Sequence, residues 1–225
     1  MLDLSHITLL SINTVNPYEA VKALRYCTRE IKFKEVLLFT HENVDYYDVE
    51  RIKIDEFDNL HGYSDFCLRL ADYINSDYVL IVQDDGFILN PNKWEKEFLN
   101  YDYIGAPWPA EQSWIDLQKS RDFMKPGYNQ VGNGGFSLRS RKFLNLSSMF
   151  VDCEGYAEDA FLCSVKYDFM IKNGIKFAPV DVAKRFSYEN PLENWSEMIE
   201  MDITQHFGFH GRRFSNSSKL INLKN

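Results

Sequence analysis

The sequence predicts an α/β protein with a largely parallel central sheet and helices packed on its faces. Three observations lead there. Up to Gln83, apolar strand-like runs alternate with segments of helical period in the order β-α-β-β-α-β. Within that stretch, Tyr78-Val79-Leu80-Ile81-Val82 is a continuous apolar run, the pattern of a strand buried on both faces. The run stops abruptly at Asp84-Asp85-Gly86, and carboxylates at the C-terminal end of such a strand stand where open α/β sheets bind ligands.

The elements follow in order. His6 to Ile12 reads as a first strand. Asn16-Pro17-Tyr18-Glu19 is a helix start, with Asn16 as the cap, Pro17 at the first position and Glu19 reaching back. Val21, Leu24, Cys27 and Ile31 then recur at helical spacing. Glu35 to Thr40 is a second strand and Val49 to Ile54 a third. Ser64 is placed as the cap of a helix whose apolar side is Phe66, Cys67, Leu70, Ala71 and Ile74. Tyr78 to Gln83 is the fourth strand. The second half is less regular: a short helix from Trp94 to Leu99, an irregular stretch from Pro107 to Tyr128, a strand from Val131 to Leu138, helices over Arg141–Phe150 and Asp159–Lys172, and a strand from Ile175 to Ala178. Long irregular stretches of this kind are often lids or binding loops, and 107–128 is expected to close over a bound ligand. With no internal repeat and no linker, residues 1–225 read as one domain.

The composition narrows the function. Of 225 residues, 45% are hydrophobic and 15% aromatic, which argues against disorder. The net charge of -8 disfavours nonspecific nucleic-acid binding, which draws on a positive surface. Cys27, Cys67, Cys153 and Cys163 form no C-x-x-C pair and read as small buried hydrophobes in a reducing compartment. The N-terminus lacks a basic region followed by a long apolar core, and no apolar stretch approaches the roughly 20 residues of a membrane helix. A cytoplasmic location with no membrane span is the expectation.

Asp84 and Asp85 repel each other, and a cation is the natural compensation, although Asp-Gly is also a common turn pair. Downstream come Val131-Gly132-Asn133-Gly134-Gly135-Phe136-Ser137-Leu138-Arg139, then Glu158-Asp159 opening a helical segment, and finally His206-Phe207-Gly208-Phe209-His210-Gly211. The glycine run has neither the Walker nor the Rossmann spacing. Glycines in a strand let another group approach the backbone, or they mark a bulge. Acids at a helix start also stabilise the macrodipole.

This ordered set resembles the GT-A class of nucleotide-sugar glycosyltransferases. It is closer still to a bacterial and viral family of that class that shares Gln-x-Asp-Gly (Gln83 to Gly86), Tyr-Asp-Tyr-Ile-Gly-Ala-Pro-Trp (Tyr101 to Trp108), Gly-Asn-Gly-Gly-Phe-Ser-Leu-Arg and a closing Gly-Phe-His-Gly. The resemblance runs from about residue 5 to about residue 211. It implies a Rossmann-like GT-A fold, a mixed, mostly parallel sheet flanked by helices. It implies that Asp85 and His210 hold Mn²⁺ or Mg²⁺, and that Asp159, beside Glu158, is the catalytic base. Ser11, Asn13, Thr14, Thr40, Arg69, Gln83, Asp84, Gly134 and Gly135 are placed around the donor, and Trp108, Trp114 and His206 around the acceptor. Gln83 departs from the usual acidic triplet, which leaves Asp85 as the direct metal ligand.

The implied activity is metal-dependent transfer of a sugar, with inversion, from a nucleotide diphosphate (a UDP-sugar first among them) to a hydroxyl of a glycan, as in polysaccharide biosynthesis. Two other classes are a sugar-nucleotide- or glycan-binding domain without catalysis, and a nucleotidyltransferase. The second would normally show a glycine-rich basic loop near the first strand, and Ser11 to Asn16 contains neither Gly nor Lys.

Overall fold

The computed structural model describes residues 1–43, 46–57, 59–110, 130–193 and 205–211. Its centre is β1 (Leu2–Ile12), in which Ile7 to Ile12 are all buried. β2 (Ile31–Thr40) and β4 (Tyr78–Ile81) flank it, both parallel to it, and β3 (Glu50–Lys53) pairs parallel with β2. The strand order is β3-β2-β1-β4-β6-β5, closed by β6 (Ser137–Ser140) antiparallel to β4 and by β5 (Tyr103–Ile104) antiparallel to β6. This is the mixed, mostly parallel sheet that the resemblance implied.

Burial explains the continuous apolar runs. On one face Leu9, Leu38 and Leu80 pack against Ala20, Val21 and Leu24 of helix α1 (Pro17–Thr28). On the other, Leu10, Phe39, Val79 and Ile81 pack against Cys67 of helix α2 (Leu60–Cys67) and against Leu70 and Ile74 beyond it. Each fully buried aliphatic side chain contributes about 1.5–3 kcal/mol. From β1 the chain goes to β2 on one side and later to β4 on the other. The strand order therefore reverses between β1 and β4, and a crevice opens past their C-terminal ends.

Several boundaries differ from the sequence reading. Asn16 makes no side-chain cap, and Glu19 pairs with Lys22 at 2.7 Å rather than reaching back. Asn13 instead closes the turn that leads into the helix, its Oδ1 accepting from the backbone N–H groups of Val15 and Asn16. Helix α2 starts at Leu60 with Asn59 as its cap, so Ser64 is interior and its hydroxyl is used elsewhere. Only Lys96–Asn100 of the Trp94–Leu99 segment turns, as a 3₁₀ helix. The strand expected over 131–138 is confined to Ser137–Ser140, because the glycine run before it is held by turns and side chains instead of a ladder. Helix α3 (Arg141–Ser147) is capped by Ser140. Helix α4 (Glu158–Ala160) passes into a π turn over Phe161–Val165 before helix α5 (Tyr167–Lys172). In place of a strand at 175–178, only Phe177 bridges to Tyr103, and helix α6 (Val180–Phe186) follows. A small parallel pair, β7 (Ser187–Tyr188) and β8 (Gly208–Phe209), lies outside the main sheet. Most of the 107–128 stretch, including the expected lid, lies outside the described residues.

In β6, Arg139 is 1% exposed and its guanidinium meets Glu158, 3% exposed, at 2.8 Å. Truncating one member of such a pair strands the other charge in a dry interior. Arg139→Met is expected to cost about 3–5 kcal/mol in urea unfolding, and the double change Arg139→Met with Glu158→Leu to recover most of that loss. Equal losses in the single and double variants would show that the pair is not the origin of the cost.

Candidate active site

The acidic turn is built by β4 running past its last paired residue. Val82 N–H still donates to Leu10 O at 2.9 Å, and then Gln83 and Gly86 exchange two backbone hydrogen bonds, of 2.8 and 3.1 Å. Asp84 and Asp85 form the tip of this tight turn. It stands beside a cleft of about 450 Å³ at the β1–β4 crevice, lined also by Asn13, Thr14, Phe57, Tyr63, Gln83 and His210.

His210 reaches the turn because the chain from 207 to 211 is strung across it. Phe209 N–H donates to Phe87 O, Gly211 N–H to Asp85 O at 2.9 Å, and His210 N–H to Tyr188 O at 2.8 Å. Buried Phe207 and Phe209 anchor the segment against Trp94 and Phe87. The imidazole Nε2 lies 3.6 Å from Asp85 Oδ1 and 3.0 Å from Gln83 Oε1, while Nδ1 lies 2.9 Å from Asn133 Nδ2 and 3.4 Å from Glu189 Oε1. Burial alone depresses the affinity of this ring for a proton. The hydrogen bond and charge of Glu189, with Asp85 and Asp159 farther off, outweigh burial and hold it above the ordinary histidine value.

The second half of the site is organised on Gly134 and Gly135. A Cβ at Gly135 would overlap the His210 ring, and one at Gly134 would overlap the Glu158 carboxylate, so both side chains can press against bare backbone. Gly134 N–H donates to Asp159 Oδ2 at 2.9 Å, and Ala160 N–H donates to Asp159 Oδ1 at 2.7 Å. Two successive residues of the glycine run thus bring the carboxylate and the imidazole together. The adjacent acids have different environments. Glu158 is tied to Arg139 and its N–H donates to Ser64 Oγ at 3.2 Å. Asp159 is partly exposed and pushed up to about 7, first by desolvation and then by the charge of Glu158, against the two backbone N–H groups that favour its anion. The π turn begins two residues later, a local irregularity common beside functional groups.

The other sequence-predicted residues are distributed unevenly. Asn13, Thr14, Gln83 and Asp84 line the cleft. Ser11 and Thr40 are buried in β1 and β2 and are not among its lining residues. Arg69 is outside it too: it bonds Val151 O and borders a separate groove of about 510 Å³ with Lys53 and Tyr73. Trp108, expected to meet an acceptor, is 6% exposed and packed on Gly132 in the core, which corrects that expectation. His206 contacts Lys184 O at 2.6 Å, at the end of α6. Trp114 lies outside the described residues. Sequence reasoning missed Tyr63, Asn133, Arg139 and Glu189. Asn133 and Arg139 lie inside the glycine-run motif, which was the available signal for them; Tyr63 and Glu189 left none.

The carboxyl of Asp159, followed by ¹³C NMR, is expected to titrate with a midpoint near 7. Glu158→Gln removes the neighbouring negative charge and frees that of Arg139, so the midpoint should move down. A midpoint in the ordinary carboxylate range in the unaltered protein would contradict the burial of this group.

No curated protein matches the chain. Among solved structures, the galactosyltransferase LgtC in complex with donor and acceptor sugar analogues aligns with a TM-score of 0.53 at 13% identity, over 96% of this chain and 95% of that one. An active-site mutant of LgtC aligns with a TM-score of 0.54 at 14% identity, over 97% and 95%. The bifunctional IspDF from Campylobacter jejuni aligns with a TM-score of 0.50 at 11% identity, over 76% of this chain and 48% of that one. At such identities the likeness establishes the fold, that of the GT-A glycosyltransferases. The acidic turn, the glycine run, the acid pair and His210 all fall within one matched stretch, residues 46–210, and by that match the chain belongs to the family described as protein of unknown function (DUF5672).

Proposed function

We propose that this chain is a metal-dependent glycosyltransferase that moves a sugar from a nucleotide diphosphate to a hydroxyl of a glycan, with inversion. The observation behind this reading is the gathering of three groups around the glycine run, two of them lining the cleft at the β1–β4 crevice. The Asp84–Asp85 turn faces His210, and His210 and Asp159 rest on successive glycines. Fold likeness to LgtC agrees with it.

Asp85 and His210 are the residues that would hold Mn²⁺ or Mg²⁺. Their 3.6 Å separation is one that a single ion can span, since donors about 2.1 Å from an ion at 90–120° are roughly 3.0–3.7 Å apart. Among the described residues no group of three or more acids, histidines or cysteines gathers there. That donor-poor site suits a cation that also takes phosphate oxygens and water. When bound, the ion neutralises the diphosphate leaving group. In this reading Asn13 and Thr14, which line the cleft just past β1 with Tyr63 and Phe57, would meet the nucleoside.

Asp159 serves as the base. An acceptor hydroxyl must lose its proton as it attacks the anomeric carbon, and a carboxylate of raised proton affinity accepts it more readily than an ordinary one. Glu158, committed to Arg139, keeps Asp159 in place. One base and one displacement invert the anomeric centre. A UDP-sugar is the first donor to test, and no helix among the described residues is long and apolar enough to cross a membrane.

Calorimetric titration of UDP should show binding with Mn²⁺ that is lost with chelator and in Asp85→Ala. The same affinity under all conditions would remove the metal from the reading. Asp159→Asn should retain donor binding and lose transfer by about 10²-fold or more, with the rate of the unaltered enzyme rising with pH through about 7 as the base loses its proton. Normal turnover by Asp159→Asn would refute the assignment, and binding without turnover on any glycan would favour a binding domain.

A further inference from the structure

Helices α3 and α5 contribute no residue to the lining of the cleft, yet their outer sides combine exposed apolar groups with positive charge. The two segments lie together: Lys142 Nζ donates to Gly174 O, and the rings of Phe150 and Phe169 meet edge to face at 5.2 Å. Phe143, Leu144 and Met170 are buried and hold the pair on the core. Past the end of α3 the chain turns through Met149-Phe150-Val151, where Met149 is 68% and Val151 78% exposed, and Phe169 is exposed beside Phe150. Leu146 and Met149, with Arg141, Lys142, Asn145 and Asn173, line a groove of about 570 Å³ on the same side. Contiguous apolar surface left in water marks a contact site.

Charge is segregated in the same place. Residues 141–151 and 166–176 hold five cations (Arg141, Lys142, Lys166, Lys172 and Lys176) against one acid, Asp168, in a chain whose net charge is -8. Lys142 keeps 53% of its side chain in water, and Arg141 donates to an uncharged group, Ala71 O, at 3.0 Å. Acids at the rim offset part of the excess: Asp152 follows Val151, Glu154 lies 2.7 Å from Lys166, and Asp102 lies 3.9 Å from Lys142.

The combination selects the partner. A second copy of this chain would set like charge against like, and lysine is depleted in such interfaces. A nucleic acid would use the cations and leave Met149 and Val151 in water. A bilayer with anionic headgroups uses both, because apolar side chains enter the acyl boundary while lysines and arginines reach the phosphates. We propose that this face docks the protein peripherally on an anionic lipid surface, with Met149 and Val151 entering it. The proposal stands apart from the glycosyltransferase reading and uses none of its residues.

The test is sedimentation of the full chain with vesicles. Phosphatidylcholine vesicles containing about 30% phosphatidylglycerol should carry the protein down, vesicles of phosphatidylcholine alone should carry far less, and about 0.5 M salt should weaken the binding. Met149→Asp with Val151→Asp, and separately Lys142→Gln with Lys172→Gln, should each weaken it about tenfold or more. Urea midpoints close to that of the unaltered chain would show that the fold survives in both. Tyr47→Asp, at an exposed aromatic away from this face, should bind as the unaltered chain does. Failure of the unaltered chain to sediment with the anionic vesicles, equal binding to both kinds of vesicle, or a loss in Tyr47→Asp as large as in the double variants would overturn the proposal. So would a dimer, seen by light scattering, that ignores vesicles and is split by Met149→Asp with Val151→Asp, since a second copy would then cover the face.

Discussion

The buried pair of Arg139 and Glu158 is the contact on which the rest of the site depends. Removing two charges from water is expensive, and their attraction compensates only when the remaining donors are also satisfied. Arg139 has further support: it also donates to Ser137 Oγ at 3.0 Å and to Gly134 O at 3.3 Å, and its guanidinium lies 5.4 Å from the Tyr103 ring centroid. The pair thereby ties a sheet strand, the glycine run and the start of a helix to one another. Gly134, gripped through its carbonyl by Arg139, presents its N–H to Asp159. The position of the candidate base is set by a charge pair that never meets solvent.

Environment separates two acids that the chain places side by side. Glu158 has the Arg139 guanidinium within hydrogen-bonding distance, at 2.8 Å. Asp159 has only backbone N–H groups to support its charge, and lies next to the charge of Glu158. The same logic distinguishes Asp84 and Asp85 from them: at the tip of an open turn they keep contact with a cleft of about 450 Å³, where water or a ligand can reach them.

The glycine run acts as a thin partition. Side chains on Gly134 or Gly135 would push Glu158 and His210 away, so their absence, more than any backbone freedom, is what the site uses. His210 is delivered to this partition by aromatic burial. Phe207 and Phe209 alternate with Gly208 and lock the closing segment across Phe87 and Phe136, which leaves the imidazole no choice of neighbour. Hydrophobic burial far larger than any single polar contact thus determines where a polar group goes.

What the sequence determined by itself is the part governed by local pattern. Continuous apolar runs specify strands buried on both faces, their alternation with helical segments specifies a parallel sheet, and an abrupt stop at two carboxylates marks the crevice. Asp85, His210 and Asp159 were legible only as an ordered set of motifs, because each alone is an ordinary turn or helix residue. Only the tertiary structure decided their company. That Glu158 answers Arg139, that Trp108 fills the core, that Arg69 stands outside the cleft, and that Tyr63 bonds Gln83 while Asn133 and Glu189 flank His210 all depend on contacts between residues from 19 to 127 positions apart where the spacing is known. Pairings at such range follow from how layers pack and which groups burial leaves unpartnered, and no local period encodes them.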